Sequence, residues 1–402
     1  MKYNYDKKKL KSLGVGPFLG QVKLREKMIA EASDELPTSI YNANILAKKL
    51  HPGAQYAVVS AVAQHGDAKS FTLAPDTEKG TEKLAYFRAG QYVSISLDIG
   101  EAKLNKPYTI CSAPKMALNG GYVLTIKTSA NGFASEYILN NWQVGTKVKL
   151  SAPLGEFYYQ ELRDAKHVVA LAGGSGITPF CSMAAAIADG TEDFNLTILY
   201  GSRTKNAILL EEQLAAIEAA AGGKVKVVHV LSDEEAEGCE KGFITADLVK
   251  KYAGEGDYSV YVCGPKPMYA FLQKELPELG LKSRRIRFEV GGEYGDPSKD
   301  AAYPAEAAGK SFTVTVIIRG ESQTVTCRAD QTLLDACERA GIRAPSHCRS
   351  GECGWCHSRL VSGEVYIPEE GDGRRMADKK FGWVHPCRTY PLSDVTLEVP
   401  VL

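Results

Sequence analysis

The chain has 402 residues, too many for one ordinary hydrophobic core, so two to four domains are expected. Its 48 basic and 48 acidic residues cancel, which leaves no net field to draw in nucleic acid or an anionic membrane surface. With 44% hydrophobic residues, 24% charged residues and no apolar run near the ~20 residues that span a bilayer, the composition is that of a soluble globular protein.

Residues 1–55 are mixed in character. Helices are expected around Leu24–Ala32 and around Ile40–Leu50, where Ile40, Ala43, Leu46, Ala47 and Leu50 fall on one face. No chemistry-bearing pattern occurs there, and the segment reads as a packing or partner-docking extension. The basic start MKYNYDKKKLKSLG is followed by no apolar stretch that would complete a signal peptide, so a cytoplasmic location is expected. Ten cysteines in such a chain are not expected to form a disulfide framework.

From Gln55 to about Phe157, short β-type runs alternate with turn residues: Tyr56–Ala63, Ser70–Leu73, Tyr92–Leu97, Tyr108–Ile110, Tyr122–Thr128 and Lys147–Ser151. Six short strands at this spacing predict a small antiparallel barrel over residues 56–160. Two tetrapeptides in it could serve a flavin. Lys106-Pro107-Tyr108-Thr109 offers a cation for phosphate, an aromatic face for the ring and a hydroxyl for the region of N5. Gly132-Phe133-Ala134-Ser135 offers a turn and a helix start whose amides could face a pyrophosphate.

From His167 the pattern becomes strand–helix alternation, the signature of a parallel α/β sheet over residues 161–290. Strands are expected at His167–Ala172, Leu196–Tyr200, Val225–Leu231 and Tyr258–Val262, with helices from Pro179 to Ala188, Glu211–Ala220 and Lys266–Glu275. Gly173-Gly174-Ser175-Gly176-Ile177-Thr178-Pro179 follows a buried strand and opens a helix, so its backbone can approach a dinucleotide pyrophosphate. Cys263-Gly264-Pro265 ends a later strand. At Tyr200-Gly201-Ser202-Arg203 an acidic residue would favour NADH, whereas an arginine could take a 2′-phosphate, so Arg203 and Lys205 are permissive for NADPH. The stretch Asn206–Leu210 brings no further cation or aromatic, which tilts the expectation to NADH with NADPH left open.

Gly291–Lys310 is Gly/Ala/Pro-rich without periodicity and reads as a linker. The last segment, 311–402, opens with a hairpin (Phe312–Ile318 and Thr324–Cys327) and a helix from Thr332 to Ala340. Then comes Cys348-x4-Cys353-x2-Cys356, with Cys387 31 residues further on. This is the plant-type [2Fe–2S] spacing, in which four thiolates serve two tetrahedral irons. Gly351 and Gly354 let the loop wrap closely and turn its N–H groups toward the sulfurs. A zinc knuckle would show two close ligand pairs instead. Cys327 and Cys337, on a strand and a helix, read as core residues.

Residues 311–402 resemble a plant-type ferredoxin domain, which implies a β-grasp fold. The flavin and nicotinamide motifs resemble those of the ferredoxin–NADP reductase superfamily, R-x-Y-[ST], G-x-x-[ST], G-G-x-G-x-[ST]-P and C-G-P, with Lys106 standing where the family usually has arginine. The resemblance spans about residues 56–402 and is nearest to the phthalate dioxygenase reductase and hybrid-cluster-protein reductase arrangements. It implies FAD, with FMN left open, and catalytic positions at Thr109, Thr178 (between nicotinamide and flavin) and Cys263, which would shape the nicotinamide pocket. The function implied is an NAD(P)H:acceptor oxidoreductase passing electrons through flavin and cluster to an oxygenase, a hybrid-cluster protein or another redox partner. A flavin or quinone reductase with a small-molecule acceptor is the alternative. A carrier whose flavin domain has lost function is a third reading, opposed by the intact nucleotide motifs.

Overall fold

The structure, a computed structural model, describes residues 16–31, 53–128, 132–289, 292–369 and 371–400. Two compact units divide the chain, 1–48 and 49–402. Helix α1 (Gly16–Glu31) is the described part of the first, and Leu24 and Met28 are exposed on it. The helix expected over Ile40–Leu50 lies outside the described residues.

The second unit begins with six antiparallel strands: β1 (Gln55–His65), β2 (Ala68–Pro75), β3 (Tyr92–Ile99), β4 (Ala102–Thr109), β5 (Tyr122–Lys127) and β6 (Lys147–Leu150). Their order is β4-β3-β6-β1-β2-β5, and the sheet curls until Ile110, just past β4, bridges Leu124 of β5. Phe71, Leu73, Val93, Ile95, Leu104, Tyr122 and Leu124 fill the interior. Pro107 sits inside β4, which is tolerable because β4 is the edge strand beside β3 and has no second partner for the missing N–H. Two short helices, α2 (Pro114–Leu118) and α3 (Phe133–Asn141), fill connections.

The next sheet is parallel: β7 (His167–Gly173), β8 (Asn195–Ser202), β9 (Val225–Leu231), β10 (Glu240–Lys241), β11 (Tyr258–Cys263) and β12 (Ile286–Phe288). Helices α4 (Thr178–Ala188), α5 (Glu211–Ala220), α6 (Ala246–Ala253) and α7 (Lys266–Glu275) lie between the strands. β7, β9 and β11 read as near-continuous apolar runs because helices cover both faces, seen as two separate cores on the two sides of the sheet. The order β10-β9-β8-β7-β11-β12 reverses direction between β7 and β11. In open α/β sheets, ligands bind at the crevice that such a reversal leaves at the strand C-termini.

Residues 292–310, within the segment expected as a linker, carry short 3₁₀ turns at Pro297–Lys299 and Ala305–Ala307 and are held down by side chains. Tyr303 donates to the Ala329 carbonyl at 3.1 Å, and Tyr390 donates to the Gly295 carbonyl at 2.8 Å.

The last sheet comprises β13 (Ser311–Ile318), β14 (Glu321–Arg328), β15 (Ser358–Ser362), β17 (Trp383–Val384) and β19 (Val395–Val399), in the order β14-β13-β19-β15-β17. The pair β16 (Val365–Tyr366) and β18 (Tyr390–Pro391) stands apart. Only β13 and β19 pair in parallel, and helix α8 (Leu333–Arg339) lays Leu333, Ala336 and Cys337 on the sheet. This is the β-grasp arrangement. Cys327 and Cys337 are both buried in its core. A final short helix, α9 (Met376–Lys380), precedes β17.

Candidate redox site

The glycine turn after β7 and the Cys263-Gly264-Pro265 turn after β11 meet at the reversal point, backbone against backbone. A Cβ on Gly176 would lie 2.1 Å from the Cys263 carbonyl oxygen, and one on Gly173 would lie 2.6 Å from Met268 Sδ and 2.8 Å from Pro265 Cδ. No side chain fits at Gly176, where the obstacle is backbone, and at Gly173 one would have to displace Met268 and Pro265, so the two motifs form one surface. Thr178 opens α4, with its hydroxyl donating to the Ser175 carbonyl at 3.1 Å.

A cleft of about 1190 Å³ runs from this surface to the barrel. Gly173, Gly174, Ser175, Gly176, Thr178, Ser202, Arg203, Cys263, Gly264 and Pro265 line it on the nucleotide side, and Lys106, Pro107, Tyr108 and Thr109 on the barrel side. Gly132, Phe133, Ala134 and Ser135 do not line it. Ser135 Oγ donates back to the Gly132 carbonyl at 3.0 Å, and the Phe133 ring lies under the Arg339 guanidinium at 4.8 Å. Cys348 and Arg349 of the cysteine loop complete the wall, so three modules share one cavity.

Burial raises the Tyr108 hydroxyl and raises the Cys263 thiol well above its ordinary value, with Glu289 adding repulsion at the latter. Cys263 is therefore a neutral thiol, suited to packing against a bound ring rather than to nucleophilic attack. Glu289, also in the cleft, is pushed up to about 8 by burial and by repulsion from Glu352. Tyr269 spans the turn, accepting from Gly264 N–H at 3.2 Å and donating to the Glu289 carbonyl at 2.6 Å. Lys106 is a half-buried cation whose pKa is lowered by desolvation and by the Arg349 charge, and its Nζ lies 2.5 Å from Glu293 Oε1.

In the cysteine loop, Arg349 (φ 59°), Gly351 (φ 89°) and Gly354 (φ 70°) all take left-handed backbone conformations, which wrap the loop on itself. A Cβ on Gly351 would lie 2.9 Å from the Gly371 carbonyl oxygen, so glycine is required there on two counts. The amides of Ser350 and Cys353 both point at Cys348 Sγ at 3.4 Å, and the amide of Trp355 points at Cys353 Sγ at 3.5 Å. Cys356 Sγ and Cys387 Sγ stand 3.3 Å apart, while Cys348 and Cys353 share a hydrogen bond. Among the described residues, no three His, Cys, Asp or Glu side chains converge on one point as a single-ion site would require. Two thiol pairs, with amides turned onto the sulfurs, fit instead a two-iron centre with two cysteines per iron. Cys348, Cys356 and Cys387 are buried and Cys353 is exposed, so one edge of the centre faces outward.

Tyr92, Glu289, Glu293, Arg349 and Glu338 are absent from the sequence expectation. Tyr92 was legible only as a strand residue, and Glu338 only as part of an amphipathic helix. Arg349 lies inside the cysteine motif, where the spacing draws attention to sulfur alone.

Residues 56–159 match the oxidoreductase FAD-binding domain, 170–274 the oxidoreductase NAD-binding domain and 316–392 the 2Fe-2S iron-sulfur cluster binding domain. The chain is an NAD(P)H-dependent flavin and iron–sulfur oxidoreductase that carries these three domains in that order. It is 28% identical over 344 residues to the ferredoxin reductase component of 3-ketosteroid-9-alpha-monooxygenase of Mycolicibacterium smegmatis, covering 84% of this chain and 94% of that one. It is 23% identical over 352 residues to the glycine betaine monooxygenase reductase subunit of Chromohalobacter salexigens, covering 85% and 94%. Among solved structures, phthalate dioxygenase reductase superposes with a TM-score of 0.63 at 24% identity, over 87% of this chain and 98% of that one, and so shares the three-part fold.

Proposed function

We propose that this reductase oxidises NADH in the cleft between barrel and nucleotide domain and delivers the electrons singly, through the cysteine loop, to a separate oxygenase. The observation that carries the reading is the shared cavity: Lys106–Thr109, the Gly173–Gly176 turn with Cys263, and Cys348 of the loop all border it. Bound FAD supplies the change from a two-electron donor to one-electron steps, and the [2Fe–2S] cluster supplies the one-electron carrier, chemistry that side chains lack. Each NADH yields two electrons, so the cluster is traversed twice per turnover.

The chain's own residues bind, orient and exclude water. In this reading Lys106 holds flavin phosphate at the cleft wall, the Gly132-Phe133-Ala134-Ser135 turn, which lies outside that wall, meets the phosphate end beyond it, Tyr108 lies against the ring and the Thr109 hydroxyl serves N5. Gly173, Gly174, Ser175 and Gly176 accept the coenzyme pyrophosphate, Thr178 stands between the two rings, and Ser202 and Arg203 border the adenosine end. Cys263, Gly264 and Pro265 shape the nicotinamide pocket. Cys348 and Cys353 hold one iron, Cys356 and Cys387 the other. Arg203 permits NADPH, while the lack of further cations over Asn206–Leu210 favours NADH. The oxygenase partner is supported by the names of the relatives, and the domain borders proposed are 56–160, 161–290, 291–310 and 311–402. A cytoplasmic location is supported by ten cysteines of which none is in a disulfide. No helix among the described residues is long and apolar enough to cross a membrane.

The test is an anaerobic titration with NADH followed by addition of the candidate oxygenase. Flavin and cluster should both reduce with NADH alone, and once the oxygenase's substrate and dioxygen are admitted, the oxygenase should turn over only in the presence of this reductase. A cluster that stays oxidised under excess NADH, or zinc in place of iron and sulfide, would overturn the reading.

A further inference from the structure

Arg349 is the residue after the first cysteine of the loop, yet its side chain is only 1% exposed and points away from the sulfurs. Its Nη1 donates to Glu338 of α8 at 2.7 Å and to the Asn105 carbonyl of β4 at 3.1 Å. Its Nε and Nη2 both donate to Glu293 Oε1, at 2.7 and 2.5 Å. The Asn105 amide in turn donates to Glu338 Oε1 at 3.2 Å. β4 is the edge strand of the barrel, and Asn105 is where both of its outward backbone groups are satisfied by residues of the last domain. An unpaired edge is thereby closed with charge-assisted bonds instead of a further strand. Lys106, the next residue, holds the same Glu293 oxygen that Arg349 holds. Lesser contacts surround this centre: Arg343 pairs with Asp98, Arg339 lies over Phe133, and the Glu101 carbonyl lies 3.1 Å from where a Cβ on Gly341 would stand.

We propose that Arg349 is a positioning residue, a buried clamp with Glu338 and Glu293 that fastens the cysteine loop to the edge of the flavin barrel. One peptide bond separates the clamp from Cys348, and one separates Asn105 from Lys106, so the clamp fixes the distance over which electrons pass between the two sites. It rests on the electron route proposed above. The Arg349 bond to the Asn105 carbonyl is the direct tie to the barrel, and the two carboxylates it holds extend that tie, Glu338 to the Asn105 amide and Glu293 to Lys106, so these contacts are lost together if either domain moves. Removing one partner of a buried pair shifts such a docking equilibrium by on the order of a hundredfold or more.

The experiment uses the full-length, cofactor-loaded protein with Glu338→Gln, Arg349→Gln and Arg349→Lys. Iron content and the paramagnetic resonance of the chemically reduced cluster should match wild type in Glu338→Gln, which lies outside the loop. NADH-driven flavin bleaching should also be unchanged, whereas the following reduction of the cluster should slow by on the order of tenfold or more. Arg349→Gln, which also alters the cleft wall, should slow cluster reduction relative to its own rate of flavin bleaching, and Arg349→Lys should recover part of that loss because charge is kept while the fork is not. Independently of any electron transfer, hydrogen exchange of the β4 peptide holding the Asn105 amide should accelerate in Glu338→Gln, with or without flavin. Wild-type exchange together with wild-type cluster reduction in Glu338→Gln and Arg349→Gln would overturn the clamp. If the wild-type cluster is never reduced by NADH, the electron route fails, and the exchange measurement still decides the clamp.

Discussion

At the scale of single residues, Lys106 carries the sharpest expectation. As a point charge for the flavin phosphate, its loss should weaken flavin binding by about 1.5–3 kcal/mol, ten- to a hundred-fold, and more at low salt than at high salt. Lys106→Arg should retain flavin at least as well as wild type. Thr109→Ala should keep flavin and slow its reduction, so bound flavin and bleaching rate across the three variants separate anchoring from ring chemistry. Full flavin occupancy in Lys106→Ala at every salt concentration would remove the lysine from the site. Acidity offers a second test. Burial lowers the pKa of His229, on β9 behind the coenzyme cleft, below its ordinary 6.5. The unfolded chain therefore binds a proton more readily than the folded one just below pH 6.5, so this histidine costs stability as pH falls through that window. His229→Gln should flatten the acid slope of the urea midpoint for the transition that includes the parallel sheet. An unchanged slope would mean that the ring is hydrated in the folded protein.

Elements join these residues into working surfaces. Because the turn after β7 and the turn after β11 touch with no room for a Cβ, Gly176→Ala must push the two apart. Hydride transfer from NADH should slow about a hundredfold, as misplacement by an ångström does, while flavin content stays at wild type. Equal rates in Gly176→Ala would show that the turns are not jointly required. Cys353→Ser should abolish the cluster yet leave NADH-driven ferricyanide reduction largely intact, since a dye can draw electrons at the flavin. Loss of dye reduction in a folded, flavin-bound Cys353→Ser protein would reverse the assumed order. These elements differ in how legible they are. β9, α5 and α7 stand where the apolar period and the strand–helix alternation put them, because packing on both faces of the parallel sheet leaves a strong signal. β4 extends six residues upstream of the expected run, over Ala102-Lys-Leu-Asn-Lys-Pro, since an edge strand tolerates polar residues and a proline that a propensity reading rejects. β10, β16, β17 and β18 have two residues each, too short for any period.

For the molecule as a whole, the four cysteines and the four flavin and nicotinamide motifs are patterns of local spacing, visible in the sequence before any folding. The shared cavity is not, since it is made by residues 106, 176, 263 and 348, which meet only after three folding units have packed. The same holds for Arg349, whose partners stand 11, 56 and 244 positions away. The packing of the last domain also dictates an order of assembly. β19, at residues 395–399, is not an edge but the middle strand of its sheet, between β13 and β15. During synthesis the barrel and the parallel sheet can close as soon as their own segments emerge, whereas the sheet beneath the cysteine loop has no centre until its latest strand is made. Cluster insertion is then a late event on a chain whose nucleotide-binding half is already folded. Nascent chains halted before Val395 should bind flavin yet acquire no iron, which places the maturation machinery after translation rather than alongside it.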